Sequence, residues 1–130
     1  MPSATGTFEI TGMHEDPWGR TGDEPRLTRA GGTQRFSGDI EGEGVVEWLA
    51  CYIGGRARLV GLQRIAGTVG ERDGSFVIEA TSDHDGKQSS GVWRILDGTG
   101  SGELAGISGS GSFQAGGGRT VSYRLDYELG

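Results

Sequence analysis

The chain has 130 residues, which suits one domain with one core, and 27 of them are glycine while only three are proline. Its formal charge is −6 and its basic residues are scattered among acids, which argues against a nucleic-acid partner or an anionic membrane surface. The single cysteine excludes an intrachain disulfide, and no apolar run is long enough to span a bilayer. We therefore expect one cytoplasmic domain over residues 1–130.

Short apolar clusters separated by glycine-rich turns follow one another along the chain and predict β-strands. Gly54-Gly55 and Asp85-Gly86 are typical of tight hairpins, and Gly31-Gly32 predicts a bulge or bend inside the second strand. No segment of comparable length shows a sustained helical period. The predicted strands are residues 4–12, 26–39, 42–53, 56–70, 75–82, 88–96, 109–115 and 119–129.

Two longer connections interrupt this pattern. Residues 13–25 (MHEDPWGRTGDEP) predict a loop that is longer than an ordinary hairpin connection. We expect this loop to pack over one mouth of the fold as a lid, with Trp18 as its anchor. Residues 99–108 predict a glycine-punctuated connection around Leu104.

Turn signals at short, regular spacing without intervening helices indicate an antiparallel meander. Eight strands suffice to close a barrel with room for side chains or one small ligand, and closure removes the exposed edges of a glycine-rich sheet. We therefore predict an all-β fold, a closed eight-stranded antiparallel barrel, in which the start of the chain pairs with a distant strand. An open sandwich of the same strands is the alternative.

Strand alternation assigns inner and outer faces. The last strand places Tyr123 and Tyr127 on one apolar face, which we predict to line the lumen. The third strand leaves a choice, because the neighbours Glu47 and Trp48 cannot both point inward without a bulge. Apolar bulk favours Trp48, since an unpaired carboxylate inside the barrel is costly.

Polar residues within otherwise apolar strands are the candidate catalytic groups. A carboxylate in an apolar lumen has a raised pKa and suits acid–base work near neutral pH, while an amide orients a carbonyl or hydroxyl group. The alternative for each carboxylate is a solvated outer position. The candidate catalytic residues are Glu47, Gln63 and Glu79. The candidate ligand-binding residues are Trp18, Trp48, Tyr52, Trp93, Tyr123 and Tyr127.

Metal and cofactor motifs do not stand out. The triplets His14-Glu15-Asp16 and Asp83-His84-Asp85 lack the spaced partners of a metal site and suit solvated loops. The glycine-rich run 98–111 has no phosphate-loop pattern. We therefore expect no metal and no cofactor.

Several strands carry apolar residues on both faces, which a wet barrel exterior does not require. Contact between subunits through the outer wall accounts for this pattern, and a homo-oligomer, with a dimer favoured, is the prediction. A tightly packed interior with loop cover is the alternative.

Five sequence segments, in this order along the chain, resemble those of a known protein family. They are GTFEIT, FSGDIEGEGVVEWL, VGLQRIAGTVGERDGSFVIEA, GTGSGELAGISGSGSF and YRLDYEL. Over essentially its whole length the chain resembles an uncharacterised bacterial domain-of-unknown-function family. That family is similar in fold to the allene oxide cyclase barrel, a calycin-like fold shared with plant dirigent proteins and some bacterial cyclases.

The resemblance implies a lumen that binds a small apolar molecule, since relatives of that fold do so and some steer cyclisation without a cofactor. Three functions stay open. The barrel is a cofactor-free isomerase or cyclase, a non-catalytic carrier or sensor of a small molecule, or a structural barrel with a filled lumen.

Overall fold

The computed structural model describes residues 2–18, 25–116 and 118–130, and these residues form nine strands. None of them forms a helix long and apolar enough to cross a membrane. The strands are β1 (Ser3–Pro17), β2 (Arg26–Gly38), β3 (Ile40–Ile53), β4 (Arg56–Val69), β5 (Arg72–His84), β6 (Ser89–Ile95), β7 (Ser101–Gly102), β8 (Ile107–Ala115) and β9 (Thr120–Leu129).

Eight of these strands close into an antiparallel barrel. The order around the sheet is β4-β3-β2-β1-β9-β8-β6-β5, and β4 pairs with β5 to complete the ring. The first strand pairs with the last from Ser3↔Asp126 to Glu9↔Thr120. The two-residue β7 adds to the start of β5 beside the ring. The prediction of a closed eight-stranded antiparallel barrel is confirmed.

Two local predictions were wrong. The first strand does not end at Gly12 but continues to Pro17, which pairs with Thr28, because the facing part of β2 satisfies its backbone hydrogen bonds. The bulge lies on β1, where the register shifts between Ile10 and Gly12, and not on β2. A Cβ atom on Gly32 would lie 2.5 Å from the Gly12 carbonyl oxygen, so glycine permits the close approach of the bulged strand.

The two mouths of the barrel differ. At one mouth, which we call the closed mouth, Leu104 from the turn between β7 and β8 is fully buried and belongs to the same core cluster as Ile40, Val69 and Ile107. At the opposite mouth, which we call the open mouth, inward-facing apolar side chains such as Trp48 and Leu59 remain partly accessible. The open mouth therefore presents partly accessible apolar side chains of the lumen.

Candidate functional site

Aromatic rings fill the middle of the lumen. Trp93 of β6 is 1% exposed, and its ring centroid lies 6.1 Å from that of Phe8, 6.2 Å from Phe36, 5.7 Å from Phe113 and 5.8 Å from Tyr123. Offset and tilted ring pairs at these distances are favourable contacts. A ligand cannot occupy this level of the lumen unless these rings move.

Trp93 also carries an unusual buried donor. Its indole Nε1 has no hydrogen-bond partner among the described residues. Leaving such a donor unpaired costs about 1–3 kcal/mol. A buried water molecule is the partner that would satisfy this donor.

Gln63, one of the candidate catalytic residues, lies buried in the lumen. Its Nε2 donates a hydrogen bond of 2.6 Å to Oε1 of Gln34 on β2. The two amides meet across β3 at Gly44, where a Cβ atom would lie 2.5 Å from Oε1 of Gln34. This pair is neutral, so it orients or accepts hydrogen bonds but does not act as an acid or base near neutral pH.

The two candidate catalytic carboxylates do not enter the lumen. Glu47 lies on the outer wall, with Oε2 3.8 Å from Nε2 of His14, and both side chains are more than half exposed. Glu79 is likewise exposed. A catalytic role for these carboxylates required a lumen position, and the structure places both at the solvated outer position that was the alternative. The alternation that turns Ala80 and Trp48, the neighbour favoured for the lumen, inward turns Glu79 and Glu47 outward into water.

Tyr123 points inward as predicted from its strand, and its phenol joins distant parts of the ring. The Oη accepts a hydrogen bond of 2.9 Å from the Ile40 N–H and donates one of 3.0 Å to the Ser37 carbonyl oxygen. Burial raises the pKa of this phenol. The hydroxyl therefore holds the turn between β2 and β3 against β9 by hydrogen bonds to both sides of that turn.

The remaining predicted ligand-binding residues divide between the ends of the barrel. Trp48 and Tyr52 face the open mouth and are half-buried, whereas Tyr127 packs partly buried against the core toward the closed mouth. Trp18 is 43% exposed, and its backbone N–H bonds to the Leu27 carbonyl at the tip of the first hairpin. Residues 19–24 of the predicted lid lie outside the described residues.

Half-buried apolar side chains line the lumen at the open mouth, and we call them the cup. Small buried residues also line this lumen, since Ala50 pairs with Leu59 and Ala80 pairs with Trp93. The cup consists of Ile10, Trp48, Leu59 and Ala115. This arrangement suits the apolar part of a small ligand.

A polar cluster forms the rim of the cup on the side of β1 to β3. The carboxylate of Glu15 accepts hydrogen bonds from Tyr52 Oη at 2.5 Å and from Thr28 Oγ1 at 2.6 Å. The Arg26 guanidinium lies 4.5 Å from the centre of the Tyr52 ring. These four residues, which we call the rim cluster, come from three neighbouring strands.

The rim cluster has a defined charge state. Partial desolvation raises the pKa of Glu15, but the hydrogen bonds from Thr28 and Tyr52, together with the charge of Arg26, outweigh it and lower that pKa overall. Desolvation and the hydrogen bond to Glu15 raise the pKa of Tyr52. At neutral pH the cluster therefore holds an ionised carboxylate beside a protonated phenol.

Glu15 is not among the candidate residues predicted from the sequence, because residues 13–25 were predicted to form a loop. The available signal was alternation. Continuing β1 beyond the bulge places Met13, Glu15 and Pro17 on one face, and pairing with β2 makes that face the inner one.

Comparison with known proteins agrees with this fold. A crystal structure of a protein with unknown function from the DUF3224 family of Shewanella oneidensis MR-1 matches with a TM-score of 0.84 at 23% identity, covering 100% of this chain and 98% of that one. No curated protein matches. The family model for "Protein of unknown function (DUF3224)" matches residues 4–127, almost the whole barrel. The chain belongs to the DUF3224 family.

Proposed function

We propose that the barrel binds a small, mostly apolar molecule at its open mouth. The observation that supports this proposal is the difference between the two ends. Leu104 is fully buried in the core at the closed mouth, whereas the inward-facing side chains of Trp48 and Leu59 are partly accessible at the open mouth. Accessible apolar side chains inside a concave site are a common feature of small-molecule pockets.

The rim cluster favours a ligand with one polar end. The ionised carboxylate of Glu15 accepts a hydrogen bond from a ligand hydroxyl or ammonium group, and the Tyr52 ring offers a flat edge beside it. The apolar part of such a ligand would then extend into the cup toward Trp48. Its length is limited, because the aromatic cluster around Trp93 fills the next level of the lumen.

Reversible binding by a carrier or sensor is better supported than an isomerase or cyclase. The buried polar side chains of the described lumen are neutral, and they include the paired amides Gln34 and Gln63. The lowered pKa of Glu15 makes it a weak base and leaves it without a proton to donate at neutral pH. A cyclase built on this lumen would have to work by shape and orientation alone.

Binding of N-phenylnaphthylamine, a neutral apolar fluorophore, tests the proposal directly. The wild-type protein should enhance its emission in a saturable titration. Leu59→Trp places a larger side chain in the cup and should weaken binding by about tenfold, the loss of about 1.4 kcal/mol. Ile53→Trp adds the same side chain on the outer surface near the same mouth and should leave binding unchanged.

The contrary outcomes are equally definite. Absence of saturable enhancement with the wild-type protein contradicts ligand binding and supports a structural barrel with a filled lumen. Equal affinity of Leu59→Trp and Ile53→Trp contradicts the location in the cup. Circular dichroism of both variants shows whether the barrel has folded.

A further inference from the structure

An apolar strip lies on the outer wall of the barrel, away from the proposed ligand site. Leu49, Val60, Leu62 and Val92, from strands β3, β4 and β6, point outward and are between 39% and 59% exposed. We call these four residues the outer strip. Contiguous exposed apolar residues on a sheet face are typical of a surface that another molecule covers.

The pairing register places outward-facing residues of β3, β4, β5 and β6 side by side, in rows that run across the strands. One row runs Leu49↔Val60↔Thr81↔Val92. The next outward-facing row runs Glu47↔Leu62↔Glu79↔Arg94. The two ends of each row are chemically complementary. In the first row Leu49 on β3 and Val92 on β6 are both apolar, and in the second row Glu47 on β3 and Arg94 on β6 have opposite charges.

We propose that a second copy of this chain covers the outer strip, related by a twofold axis that runs parallel to the strands between β4 and β5. Such an axis exchanges β3 with β6 and β4 with β5 while it keeps each row at its level. Leu49 then faces Val92 of the partner subunit, and Glu47 faces Arg94 of the partner subunit. Every contact occurs twice, as an isologous interface requires.

A third row extends the same complementarity. Arg58 and Asp83 are cross-strand neighbours on β4 and β5, with Nη1 and Oδ2 2.8 Å apart. Under the proposed axis each of them faces the opposite charge on the second copy, so that four charges alternate in sign around the axis. Arrangements of this kind give an interface its specificity and register more than its affinity.

The distribution of charged residues favours a second copy of this chain, rather than an unrelated protein, as the partner. The chain carries a net charge of −6, so two copies repel each other over most of their surfaces. The outer face of β3, β4, β5 and β6 does not share this repulsion, because the proposed twofold axis brings acids of one copy opposite arginines of the other. Arg94 makes no ion pair of its own within the described part of the chain.

Sedimentation equilibrium at micromolar concentration tests the association. The wild-type protein should have twice the mass of the 13.6 kDa chain. Under the proposed axis Leu62 lies opposite Glu79 of the partner subunit, so Leu62→Glu brings two like charges together twice and should give a monomer. Thr7→Glu places the same charge on the outer face of β1, on the opposite side of the ring, and should leave the dimer intact.

A charge exchange tests the axis itself. Glu47→Arg and Arg94→Glu should each weaken the dimer by about tenfold, and the double variant should recover most of the loss, since coupled charges across an interface restore each other. Glu47→Arg also loses the contact with His14, but Arg94→Glu does not, so a loss in both identifies the interface.

Three results would overturn the proposal. They are a monomeric wild-type protein, a dimer that survives Leu62→Glu, and a double variant no tighter than the single ones. None of them bears on binding in the cup, because the outer strip and the cup lie on opposite faces of the wall.

Discussion

At the scale of single residues, the open mouth is organised around one carboxylate. Glu15 gathers hydrogen bonds from Thr28 and Tyr52, and Arg26 packs on the Tyr52 ring. Hydrogen bonds to a charged acceptor are stronger than those between neutral groups. The rim is therefore held in one arrangement before any ligand arrives, which lowers the entropy cost of binding there.

Tyr52→Phe should show this interaction as a pH-dependent loss of stability. The pKa of Glu15 is lowered from 4.5 by folding, so its stabilising contribution is present above about pH 4.5 and is lost as the pH falls through the lowered folded-state pKa. The variant should cost at most about 1 kcal/mol near neutral pH, because water screens the partly exposed pair. Urea unfolding at neutral and acid pH measures the difference.

A matched control keeps this prediction specific. Tyr127→Phe removes the same hydroxyl toward the other mouth, and any cost should not depend on pH in the acid range. A cost for Tyr52→Phe that is equal at neutral and acid pH would show that the phenol stabilises the barrel without involving the Glu15 charge.

At the scale of elements, the connection between β6 and β8 closes one mouth. It contains β7 and a tight turn in which Gly102 (φ 60°) and Gly106 (φ 83°) adopt left-handed conformations that favour glycine. The turn carries Leu104 into the core, where it is 1% exposed. The connection over residues 99–108, which the sequence predicted only as glycine-rich, therefore places a buried side chain at the closed mouth.

Leu104→Ala should destabilise the barrel substantially. Removing a fully buried leucine side chain typically costs about 2–5 kcal/mol, because transfer energy is lost and a cavity remains. Ile53→Ala, which truncates an exposed side chain, should cost less than about 0.5 kcal/mol. Urea unfolding of both variants provides the comparison, and similar small costs would mean that the turn does not seal the mouth.

At the scale of the whole molecule, closure gives the barrel no free edge around the ring of eight strands. The seam between β1 and β9 joins the two ends of the chain through a ladder from Ser3↔Asp126 to Glu9↔Thr120. Tyr123 reinforces it by bonding to the corner at Ile40 on the far side of β2. We therefore expect the seam to open only when the barrel as a whole unfolds.

Hydrogen exchange followed by NMR tests this expectation. Amide protons in the β1–β9 ladder should be protected to about the same free energy as those between β3 and β4, because both belong to one cooperative ring. An open sheet would expose β1 and β9 as edges, with exchange governed by local fraying. Protection that is much weaker at the seam than between β3 and β4 would contradict cooperative closure.

Most strands, most of their turns and the inner face of β9 were predictable from local sequence patterns. Side-chain alternation and turn-forming residues depend only on neighbouring positions in the sequence, so they can be recognised before the partner strands are known. Resemblance to a family also indicated the barrel. The inward positions of Trp48, Trp93 and Tyr123 followed from the same apolar alternation. Gln63, predicted as a polar group within an apolar strand, is buried in the lumen.

Which acids border the lumen depends on contacts between strands that are distant in the sequence. Glu47 and Glu79 resembled buried groups because their strands carry apolar residues on both faces, one facing the lumen and the other forming the outer wall. Glu15 resembled a loop residue because the bulge near Thr11 shifts the alternation of β1. Pairing with a neighbouring strand sets the register after a bulge, and closure sets which face is inside; neither is a local property of the chain.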